Sequence, residues 1–421
     1  MEYLKNLPDE IKEKIYKLII FKPETDKELR DVLNIYLLTF EIACKSFNLD
    51  TVLDIIRDTY KVRKEKYQSP LLEEFDIISK KNNNINLRDL IESIYGNISC
   101  WDVSLINDMS RLFYRAGLFN EDISDWDVSN VKNMSFMFYG CNKFNKPLNN
   151  WNVSNVTTMN GMFESTGDFN QNINSWDLSN LEEIQCMFRY SNSFNCSLDK
   201  WKFPKVYSLR ELFSGTQNFN QNINSWDISN IKYLDLTFCN AKSFNQPLNN
   251  WDVSNVISMH ALFAGTNFFN QPLNNWKLSN VKVIESIFCN AGNFNQDLNS
   301  WDVSKVEKLD RCFYSAKNFN NNIKNWNVSN VKSVLRMFEK AEKFNCNIST
   351  WKLNNCQNFT YFMSEACSFN HDLSSWNLNL KNINYAHNLF DKCNIKEEFK
   401  PNIIFLENSI NEYLEYLTFD Y

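Results

Sequence analysis

WDVSNVKNMSFMFYGCNKFNKPLNN, residues 126–150, decides the fold, because the same pattern precedes it and follows it without a slip. All twelve tryptophans of the chain stand 25 residues apart, from Trp101 to Trp376. A spacing kept that strictly means one structural unit copied end to end. A single unit cannot bury its apolar face alone, so it buries that face against the next copy. The sequence therefore predicts a solenoid.

Within the unit, Leu or Ile stands three residues before each Trp, as at Ile123 and Leu148, and an apolar residue stands two after it, as at Val128 and Val153. Trp and Val two apart alternate with period 2, which predicts a short parallel β-strand at each Trp-x-Val segment. Val131, Met134, Met137 and Phe138 then follow at offsets of three and four, behind a possible cap at Ser129. That spacing predicts a short helical turn on the opposite side of the coil. A Phe-Asn pair recurs eleven times, from Phe119-Asn120 to Phe369-Asn370. The Phe column reads as an aromatic spine. The Asn column reads as a set of amides that satisfy backbone groups where the chain turns.

The chain has 421 residues, a formal net charge of −6, 43% apolar and 22% charged residues. Those fractions belong to a foldable chain. No basic tail or patch of the kind nucleic acid requires is present. The twelve cysteines include no CxxC and mostly replace small or apolar repeat residues, as at Cys141 and Cys356, so free thiols in a reducing compartment are expected. The start, MEYLKNLPDEIKEKIYKLII, carries charge throughout and lacks a signal-peptide core. No apolar run approaches the ~20 residues of a membrane helix. The expected location is the cytosol, that of the host cell if the source is viral.

Chemistry is sparse. His260, His371 and His387 are the only histidines, and none stands at metal-ligand spacing from a second ligand. There is no phosphate loop, no G-x-S-x-G and no H-E-x-x-H. Neither an enzyme nor a cofactor or metal site is expected. Two sets of exposed residues are candidates for partner binding. One is the acidic column just after each Trp, with Asp102, Asp127, Asp227 and Asp252 stacked in adjacent pairs. Its residues could hold a basic partner or a cation, or simply cap local backbone. The other is the positive cluster Lys200, Lys202 and Lys205, where the sequence departs most from the repeat.

The W-D-V-S-N-V of Trp126–Val131, the Met137-Phe138 pair and the F-N-Q-P-L-N-N-W of Phe244–Trp251 resemble the 25-residue repeat of BspA-like leucine-rich repeat surface proteins. The resemblance covers roughly residues 98–393. It implies an α+β repeat solenoid, a leucine-rich-repeat-like right-handed coil of about twelve 25-residue units with parallel strands. It further implies protein binding or adhesion, and no catalysis. Export and wall-anchor signals, which the surface members carry, are not found here.

The ends lack the repeat. Residues 1–83 read as a helical domain, and Leu7, Pro8, Ile11 and Ile15, with Cys44-Lys45-Ser46-Phe47, resemble an F-box, whose helices bind an adaptor of ubiquitin ligases. Residues 84–97 read as a helix that shields the first coil, 98–394 as the repeat, and 395–421 as a helical C-terminal cap. The expected function is a non-enzymatic protein-interaction scaffold, with the N-terminus as a substrate-recruiting adaptor. A surface adhesin and an enzyme with a site built between coils are the alternatives.

Overall fold

Trp-x-Val forms no strand in the coils from Trp101 to Trp351; only after Trp376 does a strand begin there. In the computed structural model, which describes residues 22–30, 32–33, 36–37, 96–380 and 383–405, that segment runs through tight turns. Trp126 N–H donates to Ile123 O at 3.2 Å and Val131 N–H to Val128 O at 2.9 Å, so the backbone there bonds within its own coil. The parallel pairing falls seven residues after each Trp, as isolated bridges such as Asp108 to Asn133 and Ser258 to Val283. The only strands among the described residues are β1 (Asn377–Leu380) and β2 (Asn402–Phe405), which pair in parallel at the C-terminal end.

The helical turn is also replaced. Beginning at the eighth residue after each Trp, alternate N–H groups reach the carbonyl 24 residues ahead. Met109 bonds Asn133, Arg111 bonds Ser135, Phe113 bonds Met137 and Arg115 bonds Tyr139, and the set recurs along the stack at 2.6–3.0 Å. The intervening N–H groups close turns onto the third residue back, as Leu112 does onto Met109. The tenth and fourteenth residues after each Trp adopt positive φ in every coil from Trp101 to Trp351, as Arg111 (57°) and Arg115 (61°) do. A left-handed residue every fourth position cannot continue a helix. Helical spacing of the apolar residues survives because two successive tight turns carry the chain around a similar arc. Most of these left-handed positions are not glycine, at a cost of about 1–2 kcal/mol each. The bonds to the next coil hold them there.

The core is aromatic and continuous. From Trp101 to Trp326, the Phe at twelve and the Phe at eighteen residues after Trp stack within a coil at 3.8–4.2 Å. Each also stacks on its copy in the next coil, as Phe213 on Phe238 (5.8 Å) and Phe219 on Phe244 (6.0 Å) do. The indoles form a third column, with Trp226 parallel to Trp251 at 6.4 Å and Trp301 to Trp326 at 6.3 Å. All twelve Trp are buried. Stacks of this kind add directional preference to the burial of large rings.

Side chains tie the coils together where the backbone does not. Each indole N–H from Trp126 to Trp351 donates to the carbonyl 28 residues earlier, at 2.8–3.2 Å. The Asn four residues after Trp donates its amide to the carbonyl 26 residues earlier, as Asn130 to Ser104 O and Asn255 to Ser229 O. The Asn of the Phe-Asn pair accepts, through Oδ1, the N–H of its copy in the next coil, at 2.8–3.1 Å from Asn120 to Asn370. The identity of the three columns therefore has one cause. On those sides of the coil the bond between neighbours runs through an indole or, in most coils, a carboxamide, with Lys205 and Lys305 reaching Asn180 and Asn280 instead.

Among the described residues, helical turns at 26–30, 32–33 and 36–37 cover the first coil. Tyr36 packs edge-on against Trp101 at 6.1 Å, Arg30 reaches Ser110 O and Asp108, and Asp26 accepts the Asn107 N–H. The proposed shielding helix at 84–97 lies outside the described residues as far as 95. At the far end the inter-coil ladder lengthens by two residues, with Phe359 bonding Tyr385 O and Met363 bonding Leu389 O. Two 3₁₀ turns, Ile383–Ala386 and Glu397–Phe399, and β2 complete the described stack, and residues 406–421 of the expected C-terminal cap lie outside the described residues. Leu7, Pro8, Ile11 and Ile15 lie outside the described residues.

Candidate functional site

Backbone bonding frees one face from the repeat. Where the N–H ladder joins coils, few side chains are required for cohesion; Asn160, Asp235 and Asp310 are exceptions, accepting an N–H of the next coil. The outward positions there are the sixth, seventh, ninth, tenth, thirteenth and fourteenth after each Trp, and they vary across every chemical class. All six arginines between Trp101 and Trp376 fall on them: Arg111, Arg115, Arg189, Arg210, Arg311 and Arg336. So do all seven tyrosines of the same span: Tyr114, Tyr139, Tyr190, Tyr207, Tyr233, Tyr314 and Tyr361. Elsewhere the exposed columns draw mostly on Asn, Ser, Asp, Gln, Gly and Lys. Tyr and Arg are the residues enriched where proteins bind one another. Placing the coils in register by their Trp would have revealed this partition in the sequence.

The face has internal structure. Glycines make room for large neighbours: a Cβ on Gly215 would lie 2.3 Å from the Tyr190 ring, and one on Gly161 would lie 2.4 Å from the Phe136 ring. In the middle, Arg189 lies between two carboxylates, 3.5 Å from Glu164 and 3.0 Å from Glu211. Burial raises the Glu164 carboxyl above its usual range, against the pull of Arg189. Near the C-terminal end, burial likewise raises Glu339, which pairs with Arg336 at 3.4 Å. Tyr190, Tyr207 and Tyr233 remain well exposed.

The sequence candidates lie elsewhere. The acidic column caps turns: Asp127, Asp227 and Asp252 each accept the N–H of the Ser two residues on, at 3.0 Å. The Ser229 N–H and then its hydroxyl hold the Asp227 carboxyl below the usual range. Asp252 is lowered the same way, the Ser254 hydroxyl leading. Asp102 makes the same turn with Ser104 and an ion pair of 2.7 Å with Lys22, so the N-terminal segment already engages it. Lys22 is the largest cause of its lowered pKa. In the basic cluster, Lys205 takes the place of a ladder Asn and donates to Asn180 Oδ1 at 2.8 Å, while Lys200 and Lys202 are exposed on either side of Trp201.

Among the described residues no group of three or more His, Cys, Asp or Glu could hold a metal, and no helix is long and apolar enough to cross a membrane. The eleven described cysteines are free thiols. Burial pushes the Cys186 and Cys239 thiols up to about 11 and Cys356 to about 12, which makes them poor nucleophiles.

No curated protein and no solved structure matches the chain. The sequence model of a family described as "Mycoplasma protein of unknown function, DUF285" matches it three times in succession, over residues 83–201, 189–301 and 283–403. The matches overlap, and inter-coil backbone bonds cross both overlaps, as Phe188 to Leu212 and Phe288 to Cys312 show, although the first bond of the set is missing at Ile184 and Ile284. They therefore mark stretches of one repeat array rather than three separate domains. Together they cover most of the chain, which belongs to this tandem-repeat family.

Proposed function

We propose that this protein is a non-enzymatic scaffold for protein binding, and that the partner lies on the arginine- and tyrosine-bearing face. The observation that carries the reading is the segregation of every Arg and Tyr of the repeat to the one side that the backbone ladder holds. Stable coils with one varied face suit recognition, because the inter-coil bonds there run through the backbone and few side chains are tied to them. In this reading the coils wind as a right-handed, leucine-rich-repeat-like solenoid, and the N-terminal residues around Leu7, Pro8, Ile11 and Ile15 recruit a ubiquitin-ligase adaptor from the cytosol.

Photo-crosslinking of the full chain tests the binding face. A benzophenone side chain is placed at Tyr190, Tyr207 or Tyr314, and at Gln246 or Lys277 as controls. The reading expects a discrete protein adduct from the tyrosine positions in extract of the cells that make the protein, and none from the controls. Adducts from Gln246 and Lys277 alone, or from no position, would overturn it.

A further inference from the structure

The two coils nearest the N-terminus carry the part of the variable face with unanswered charge. Arg111 and Arg115 are exposed and form no ion pair among the described residues. On the same face Arg189, Arg210 and Arg336 are each held by a glutamate. Among the described residues Arg311 forms no ion pair either, but its charge acts on Glu339, opposing the burial that raises that carboxyl. The variable positions of the first two coils hold Arg111, Arg115 and Lys132 against one acid, Asp108, which Arg30 already engages.

Aromatic rings hold the two guanidinium groups in place. The Arg111 guanidinium lies 5.8 Å from the Tyr114 ring centroid and 5.6 Å from that of Phe136, and Arg115 lies 5.3 Å from Tyr114. Tyr114 stacks on Tyr139 at 4.7 Å, and Phe136 meets Tyr139 edge-on at 6.2 Å. A guanidinium on a ring keeps its donors free for a carboxylate, and it binds that group through two parallel bonds.

We propose that Arg111, Tyr114, Arg115 and Phe136 form a docking site for an acidic, extended peptide segment of a partner protein. The proposal deepens the scaffold reading and rests on it. Both cations flank one tyrosine ring, so a short segment with carboxylates at alternate positions engages both, since such side chains point the same way from an extended strand. Single-stranded nucleic acid fits less well, because it needs a continuous basic groove to track its backbone, and this patch ends after two coils.

Fluorescence anisotropy on the full chain tests the site. The probe is a fluorescein-labelled twelve-residue peptide alternating Glu and Val. A Gln–Val peptide and an oligothymidine of twelve nucleotides serve as comparators. The acidic peptide binds, salt weakens it, and Arg111→Gln with Arg115→Gln weakens it about ten-fold or more. Arg111→Lys with Arg115→Lys, which keeps the charge and removes the fork, gives an intermediate loss. Unchanged affinity in the Gln pair, no binding at millimolar peptide, or tighter binding of the Gln–Val peptide or the oligothymidine would overturn the proposal. Arg311→Gln with Arg336→Gln separates the two readings. If that pair abolishes binding while the first does not, the site is wrong and the face stands. If neither pair matters and the crosslinks above are absent, both readings fall.

Discussion

Asn220 should matter to stability through a single oxygen. Its Oδ1 accepts the Asn245 N–H at 2.9 Å and the Gln246 side-chain amide at 3.1 Å. Asn220→Ala deletes that acceptor. The Gln246 side chain can turn to water, but the Asn245 N–H sits in a fixed, half-buried turn and loses its partner. An orphaned donor of this kind costs about 1–3 kcal/mol, and partial exposure favours the lower half of that range. Asn220→Asp keeps an oxygen at the same place and should stay within about 0.5 kcal/mol of the parent. Urea unfolding followed by tryptophan fluorescence gives the global loss. Because neighbouring coils carry stability in a one-dimensional stack, amide exchange should quicken at Asn245 far more than at Asn345. Equal stability of Asn220→Ala and the parent, with unchanged protection at Asn245, would refute the reasoning.

Other expected outcomes follow from the same geometry. Trp226→Phe removes the indole donor that lies 2.8 Å from Leu198 O, leaving that carbonyl only the Trp201 N–H, and shrinks a buried ring, so chemical denaturation should show a loss of about 1–3 kcal/mol. Gly215→Ala puts a methyl where φ is 73° and the Tyr190 ring already lies, which should cost about 1–2 kcal/mol and change the environment of Tyr190 by fluorescence or NMR. Asp227, Asp252 and Asp302 have lowered pKa values because Ser N–H and hydroxyl groups donate to them. Their contribution is complete above the ordinary Asp value and is lost as pH falls through the lowered one. The triple Asp→Asn variant should therefore lose less stability than the parent on acidification from pH 5 to 3; an equal or greater loss would contradict that origin of the shift. A thiol reagent at neutral pH should label the exposed Cys100 and Cys367 in the native protein, and Cys141 and Cys312 only on unfolding.

The repeat was legible because its register columns are nearly invariant. Trp, Phe and the Asn of the Phe-Asn pair each meet a need that one residue type satisfies, so the spacing alone exposed the stack. The local conformation was not legible. Period-2 spacing at Trp-x-Val marks an inward pair in a strand and in a chain of tight turns alike, and only the destination of the N–H groups separates them. The left-handed residues were hidden for a related reason. Leu236, Cys186 and Arg336 carry no local signal for positive φ; the neighbouring coil imposes it. The acidic column drew notice because it repeats, yet repetition marks residues that serve the backbone, as the bond from Ser129 N–H to Asp127 shows. The face best suited to a partner was overlooked because it is irregular, and irregularity registers only after the coils are placed in register.

A complete substitution scan of the coil Trp226–Asn250, read by survival against protease, tests the central claim most directly. The claim is that backbone bonds hold one face while side chains hold the others. Asn230, Asn245 and the buried Trp226, Leu234, Phe238 and Phe244 should tolerate almost no replacement, whereas Lys232, Tyr233 and Cys239 should accept most polar and apolar residues. Equal intolerance at Lys232, Tyr233 and Cys239, or free replacement of Asn230 and Asn245, would contradict the account.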